Sequence, residues 1–230
     1  MVLPPLVPGI LVRRFQRFLA DVELHDGERV VAFCPNTGSL RTCSDPGSPV
    51  MLSRSQNRRR KTNWTWELVQ ANGVWVGINT LLPNRLLAAA IRSGRLAEFQ
   101  GWELVRTEAR IGQRSRVDLL LQKGNRYCYL EIKNVTMVEE GTAYFPDAVT
   151  SRGTRHLREL QSAVRDGHRA VICFLIQRED GLRLRPADAI DPVYGRTLRE
   201  AVGVGVEAQA YRTRVNPSRV ELLESVPVVL

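Results

Sequence analysis

Asp118, Glu131 and Lys133 are the side chains in this sequence whose types and spacing could do chemistry. Between them lies Lys123-Gly124-Asn125, a turn signal joining two strand-like runs, Arg116 to Gln122 and Tyr127 to Val135. A tight antiparallel hairpin about that turn places Leu120 opposite Tyr129, Asp118 opposite Glu131, and Arg116 opposite Lys133. Those six share one face, and Val117, Leu119, Leu121, Cys128, Leu130 and Ile132 form a wholly apolar second face. Two neighbouring carboxylates repel unless a proton or cation intervenes, and their hard oxygens suit Mg²⁺ or Mn²⁺. A lysine beside such a metal can orient water or stabilise a developing phosphoryl anion, which is the chemistry of phosphodiester hydrolysis. Glu108, at the end of the preceding strand-like run, is a candidate third carboxylate ligand. The same residues would also make an ion-pair lattice in which Glu131 bonds Lys133 or Arg116 and no metal binds.

The elements around the hairpin decide how such groups are held. Pro83 to Arg92 reads as a helix broken near Gly94, and the strand-like runs 102–108, 116–122 and 127–135 follow. Thr150 or Ser151 caps a helix bearing Leu157, Leu160 and Val164. The nearly continuous apolar run from Arg169 to Gln177 is expected to be a strand buried on both faces. Leu198 to Ala201 reads as helix and Val206 to Arg212 as strand, so residues 81–230 are expected to be a mixed sheet flanked by helices. Arg152, Arg155 and His156 fall on the first turns of the capped helix, where backbone N–H groups favour phosphate, and His156 equally suits a satisfied structural histidine.

Residues 1–80 read differently. Leu11 to Leu24 is a long strand-forming run, followed by a turn at His25 to Glu28 and a strand at Arg29 to Cys34. Val50 to Ser53 is a short strand, and Trp64 to Gln70 pairs with Val74 to Ile78 through Asn72-Gly73. About five strands in so short a stretch predict an OB-like barrel. Arg54, Arg58, Arg59, Arg60 and Lys61 precede Trp64 and Trp66, which suggests phosphate contact with an indole available to an unpaired base. Both tryptophans also suit the barrel core, and Trp66 sits in an alternating strand that needs a large inward group.

The 230 residues carry a net charge of +9, a field that attracts polyanions: nucleic acid, anionic lipid or acidic protein. An ordinary solubilising surface has the same charge signature. RNA or an acidic protein remains an alternative partner on charge alone. The four cysteines, Cys34, Cys43, Cys128 and Cys173, show no zinc spacing and read as buried thiols of a reducing, cytoplasmic compartment. The start is apolar but broken by Pro4, Pro5 and Pro8, and no apolar run reaches bilayer length, so a membrane is not an expected partner. A homodimer is compatible with the sequence.

Asp118 with Glu131-Ile132-Lys133, in this order of elements, resembles the PD-(D/E)xK nuclease superfamily, which implies metal ligands and a catalytic lysine at those positions. The chain as a whole resembles the sugar fermentation stimulation protein A (SfsA) family. The resemblance rests on Cys34-Pro35-Asn36-Thr37-Gly38, Trp66-Glu67-Leu68-Val69, Asn79-Thr80 with Pro83-Asn84, Ser115-Arg116-Val117-Asp118, Phe145-Pro146-Asp147-Ala148-Val149-Thr150, and Arg152-Gly153 with His156-Leu157. These stretches span about residues 10 to 210. The family implies an N-terminal OB-like domain, a nuclease-like second domain, DNA binding without sequence preference, and a loose link to regulation of sugar metabolism. Asp147 follows the Glu-x-Lys segment where the superfamily's aspartate precedes it, so Asp118 is the better match.

Overall fold

In the computed structural model, residues 1–55, 60–112 and 115–230 are described. The chain opens with β1 (Leu6–Phe15), β2 (Leu19–Leu24), β3 (Arg29–Phe33), β4 (Pro49–Arg54), β5 (Trp64–Ala71) and β6 (Val74–Gly77). β1 pairs with β2 and β4, β2 with β3, and β4 with β5, all antiparallel; a parallel contact between β3 and β5 closes the ring. This is a five-stranded OB-type barrel, with β6 added to β5 through the Asn72-Gly73 turn. Both turn residues have positive φ, 51° and 78°, the backbone that a two-residue hairpin of this twist requires. Leu11, Val22, Leu52, Trp66 and Val76 fill the interior. Trp66 is fully buried and donates its indole N–H to the Leu68 carbonyl at 2.9 Å, which satisfies its polar atom there.

The run read as one strand from Leu11 to Leu24 is two strands. The chain reverses at Gln16 and Arg17, with φ of 49° and 63°, and neither is the glycine or asparagine that announces such a turn.

Beyond the barrel come α1 (Leu81–Arg92), β7 (Glu103–Ile111), β8 (Ser115–Lys123), β9 (Arg126–Val135), β10 (Met137–Glu139) and β11 (Thr142–Phe145). Then follow α2 (Ser151–Arg165), β12 (Arg169–Ile176), β13 (Arg183–Pro186), α3 (Pro192–Gly203), β14 (Glu207–Asn216) and β15 (Arg219–Ser225). The main sheet has the order β15-β14-β12-β9-β8-β7 and is mixed: β9, β12 and β14 are parallel, and the outer pairings are antiparallel. β12 shows why its sequence is so uniformly apolar. Val171, Cys173 and Leu175 pack into the cluster containing Leu86 and Leu87 of α1, whereas Ala170, Ile172 and Phe174 pack into the cluster containing Leu157 of α2 and Leu198 of α3. Helices therefore cover both faces of the sheet. Thr150 caps α2, its Oγ1 accepting the Gly153 N–H at 3.0 Å. Asp191 caps α3 and also accepts the Thr150 N–H, at 2.8 Å, tying the two helix starts together. A small sheet, β10-β11-β13, was not foreseen from sequence.

The two parts are fastened at several points. The Gly77 N–H donates to the Gln177 carbonyl at 2.9 Å, and Thr80 Oγ1 donates to the Pro35 carbonyl at 2.8 Å. Asp147 accepts the Leu40 N–H at 3.0 Å through its carboxylate, while its carbonyl accepts from Ser39 Oγ at 2.7 Å. The first residues join the second part: Leu3 N–H donates to the Ser218 carbonyl. All four cysteines are free and buried, and burial pushes the Cys43 and Cys128 thiols up to about 11 and about 12. No helix of the described residues is long and apolar enough to cross a membrane.

Candidate active site

The β8–β9 ladder runs from Lys123 opposite Arg126 to Leu119 opposite Leu130, with Leu120 opposite Tyr129 as expected, and it stops there. β8 then peels away from β9, and the carboxylate of Asp118 fills the gap by accepting the Ile132 N–H at 2.7 Å through Oδ2. Its Oδ1 accepts from Asn84 Nδ2 of α1 at 2.7 Å. Glu131, still on the regular part of β9, instead reaches toward α2, where Oε1 bonds His156 Nδ1 and also takes a 2.7 Å hydrogen bond from Lys133 Nζ. This corrects the single shared face expected for Asp118, Glu131 and Lys133. Val117 joins the cluster on the α2 side whereas Leu119 joins that on the α1 side, so strict alternation fails at Asp118 because the strand leaves its partner there. The expected pairing of Arg116 with Lys133 is absent for the same reason. Arg116 is exposed and pairs with Arg110 of β7.

The two acids nevertheless feel one another. Burial, and next the charge of Glu131, push the Asp118 carboxyl up to about 6, against the opposing influence of the Ile132 N–H, Asn84 and Lys133. Burial alone would also raise Glu131, which is 4% exposed, but the His156 hydrogen bond and the Lys133 charge outweigh it and hold this carboxyl below its ordinary value. The pair is therefore split into a readily ionised member and a reluctant one. Glu131 Oε2 is buried without a hydrogen-bond partner, which is a costly state for a carboxylate oxygen. The ion pair between Glu131 and Lys133 anticipated as the alternative to a metal is present, yet it uses only Oε1.

Asp118, Asn84 and Lys133 line one wall of a cleft of about 650 Å³ between the barrel and the main sheet. Arg14, Arg17 and the Asn36–Gly38 loop line the other. Arg14 holds that loop by donating to the carbonyls of Asn36, Gly38 and Ser39.

The remaining residues singled out from sequence are distributed as follows. Glu108 is exposed on β7 with a φ of 52°, and no cluster of three or more His, Cys, Asp or Glu side chains able to hold a metal occurs among the described residues. Arg152 and Arg155 are exposed on α2. His156, expected at a phosphate, is only 4% exposed and sits behind Glu131, with Arg152 Nε against its Nε2 at 3.4 Å. Its side chain is used up inside the protein, because helical periodicity turns position 156 toward the sheet. Trp64 is half-buried against the barrel core, with the Arg54 guanidinium 5.7 Å from its ring centroid. Arg60 lies over Phe33, and Lys61 is exposed; Arg58 and Arg59 lie outside the described residues. Asn84, whose amide holds Asp118, went unread, and so did Glu131 as the partner of a structural His156; the two pairs are 34 and 25 positions apart, a separation at which spacing carries no signal.

A closed OB-type barrel fastened to a helix-flanked mixed sheet, with a carboxylate pair and a lysine at the point where two central strands part, defines the class of protein: a barrel joined to a mixed α/β sheet. The description "SfsA N-terminal OB domain" matches residues 12–78, and "Sugar fermentation stimulation protein RE domain" matches residues 81–219. The chain belongs to the sugar fermentation stimulation protein family. It is 58% identical over 230 residues to a sugar fermentation stimulation protein homolog of Geobacter sulfurreducens, covering all of this chain and 99% of that one. A homolog of Pelobacter propionicus is 55% identical over 230 residues, with both chains covered fully. Among solved structures, Pyrococcus furiosus SfsA in complex with Ca²⁺ superposes with a TM-score of 0.93 at 28% identity, covering 100% of this chain and 98% of that one.

Proposed function

We propose that this protein binds DNA through its phosphates without reading sequence, and that Asp118 and Glu131 hold a divalent cation, Mg²⁺ or Mn²⁺, for hydrolysis of phosphodiester bonds. The observation that carries the reading is the unequal carboxylate pair: Asp118 is raised by burial and by its neighbour Glu131, and Glu131 keeps a buried oxygen without a partner among the described residues. Both features fit a hard cation with oxygen ligands. The Ca²⁺ present in the Pyrococcus furiosus relative supports a divalent ion in this fold.

A bound cation would neutralise charge on the phosphoryl oxygens and lower the pKa of a coordinated water. The protein's own groups do the rest. Asn84 and the Ile132 N–H fix both oxygens of Asp118, and His156 fixes Glu131 from behind. Lys133, bonded to Glu131 and facing the cleft, is placed to orient water or stabilise the anion that forms at phosphorus. Arg17 on the opposite wall, with Arg152 and Arg155 exposed on α2, supplies positive charge for phosphates. The +9 net charge supports DNA as the partner.

The test is incubation of purified protein with linear, supercoiled and unpaired DNA in Mg²⁺ or Mn²⁺. Cleavage that is lost on chelation and in Asp118→Ala supports the reading. Binding of DNA without cleavage of any form would leave a DNA-binding protein and remove the hydrolytic role.

A further inference from the structure

The cleft that exposes Asp118 and Lys133 is bounded by walls that are bonded together. On the barrel side, the 36–40 loop is held by Arg14 and by both attachments to Asp147; behind it, Thr80 donates to the Pro35 carbonyl. Gly38 approaches Asp147 so closely that a Cβ there would lie 2.7 Å from its Oδ2. Such a joint has no slack with which to open. The cleft, open to solvent and about 650 Å³ in volume, has the size of a small-molecule site, with room for a stretch of single chain.

A second observation extends from the same cleft. A depression lined by Arg13, Phe15 and Gln16 shares Arg14, Arg17 and Ser39 with it, so the two are continuous across the tip of the β1–β2 hairpin. From there a row of outward side chains crosses three strands of the barrel, since Phe15 is paired with Leu19 and Leu19 with Phe33. The alternation of β3, with Val30 and Ala32 buried inside, puts Phe33 on the outer face. Phe18 at the hairpin tip is 47% exposed. None of these three phenylalanines belongs to a core cluster. Arg13 lies over the Phe15 ring at 5.0 Å and is paired with Asp21; Arg60 lies over Phe33 at 4.8 Å and donates to Thr65 Oγ1. Half-buried rings at the surface with guanidinium groups upon them, beside the exposed Phe18, suit a chain of bases and phosphates. Bases offer π-faces to rings and to guanidinium planes, and only an unpaired strand exposes those faces.

We infer that the substrate is unpaired DNA, which runs along Phe33, Phe15 and the Arg17 hairpin tip into the cleft at Asp118. Duplex is excluded except where its strands are splayed. This rests on the proposed nucleic-acid reading and deepens it by naming the form of the strand.

The experiment is a fluorescence anisotropy titration with a labelled unpaired oligonucleotide of mixed sequence and with its blunt duplex, in Ca²⁺ at fixed ionic strength. Single strand should bind about tenfold or more tightly, and Phe15→Ala and Phe33→Ala should each weaken it about fivefold while duplex affinity stays unchanged. Phe33→Tyr, which keeps a ring, should recover most of the loss and shows that the alanine effect is not misfolding. Equal affinity for the two forms, or a loss that falls on both alike, overturns the inference. The two readings fail separately. Duplex cleavage dependent on Asp118 without any preference for single strand would end this inference and keep the hydrolytic one, whereas single-strand preference without cleavage would do the reverse.

Discussion

Replacing Asp118 by asparagine should stabilise the metal-free protein at neutral pH, and the size of the gain follows from the geometry. Asp118 is raised from 3.8 to about 6 by burial and by Glu131. Between those values the folded chain holds a proton that the unfolded chain has released. Stability therefore falls as pH rises through this window, and the whole penalty is present above about 6. At about 1.4 kcal/mol per pH unit the interval amounts to about 3 kcal/mol as an upper bound. An asparagine keeps one acceptor for the Ile132 N–H but loses the charge that strengthens it, and the Asn84 amide must turn so that its oxygen accepts from the new NH₂, so a net gain of about 1–2 kcal/mol remains. The assay is urea unfolding with a chelator present, at pH 7.5 and pH 4.5. Wild type should be less stable than Asp118→Asn at the higher pH and nearly equal at the lower. A variant no more stable than wild type at pH 7.5, or a difference that does not shrink in acid, refutes the account of this carboxylate.

Three further outcomes are expected. His156→Ala should cost about 3 kcal/mol in urea unfolding, because it strips a buried carboxylate of its principal partner, and His156→Gln should recover part of the loss. Gly38→Ala should lower stability by about 1–2 kcal/mol, read as a reduced melting temperature, since its methyl would displace the Asp147 carboxylate that bonds the two domains. Affinity for DNA should fall about a thousandfold between roughly 50 and 200 mM salt if about six phosphates are contacted, and a flat response would exclude phosphate recognition.

The elements that could be read from sequence were those whose signal is local. Asn72-Gly73 announces its hairpin, Thr150 its helix, and the unbroken apolar run of β12 its burial on both faces. The reversal at Gln16 and Arg17 could not be read, since it depends on positive φ at residues that seldom adopt it and is held by Arg14, whose guanidinium donates to the Arg17 carbonyl. β13 and the small sheet around it are made by pairing between residues about 41 positions apart, such as Thr142 with Arg183, and short strands of that kind have little periodicity to detect. At the site, residue types and turn placed Asp118, Glu131 and Lys133 near one another. The shared face failed because a regular ladder was assumed beyond Leu119, where the carboxylate of Asp118 itself takes the place of a backbone acceptor. His156 read either as a phosphate contact or as a satisfied structural histidine, and the helical period that turns it inward to Glu131 decides for the second.

Calorimetric titration of the chelator-treated protein with Mn²⁺ addresses the paired carboxylates without relying on catalysis. Wild type should bind one ion per chain at this site, with that binding lost in Asp118→Ala and sharply weakened in Glu131→Gln. Undiminished binding in both variants, or none in the wild type, would contradict the assignment of these two acids as the cation's ligands.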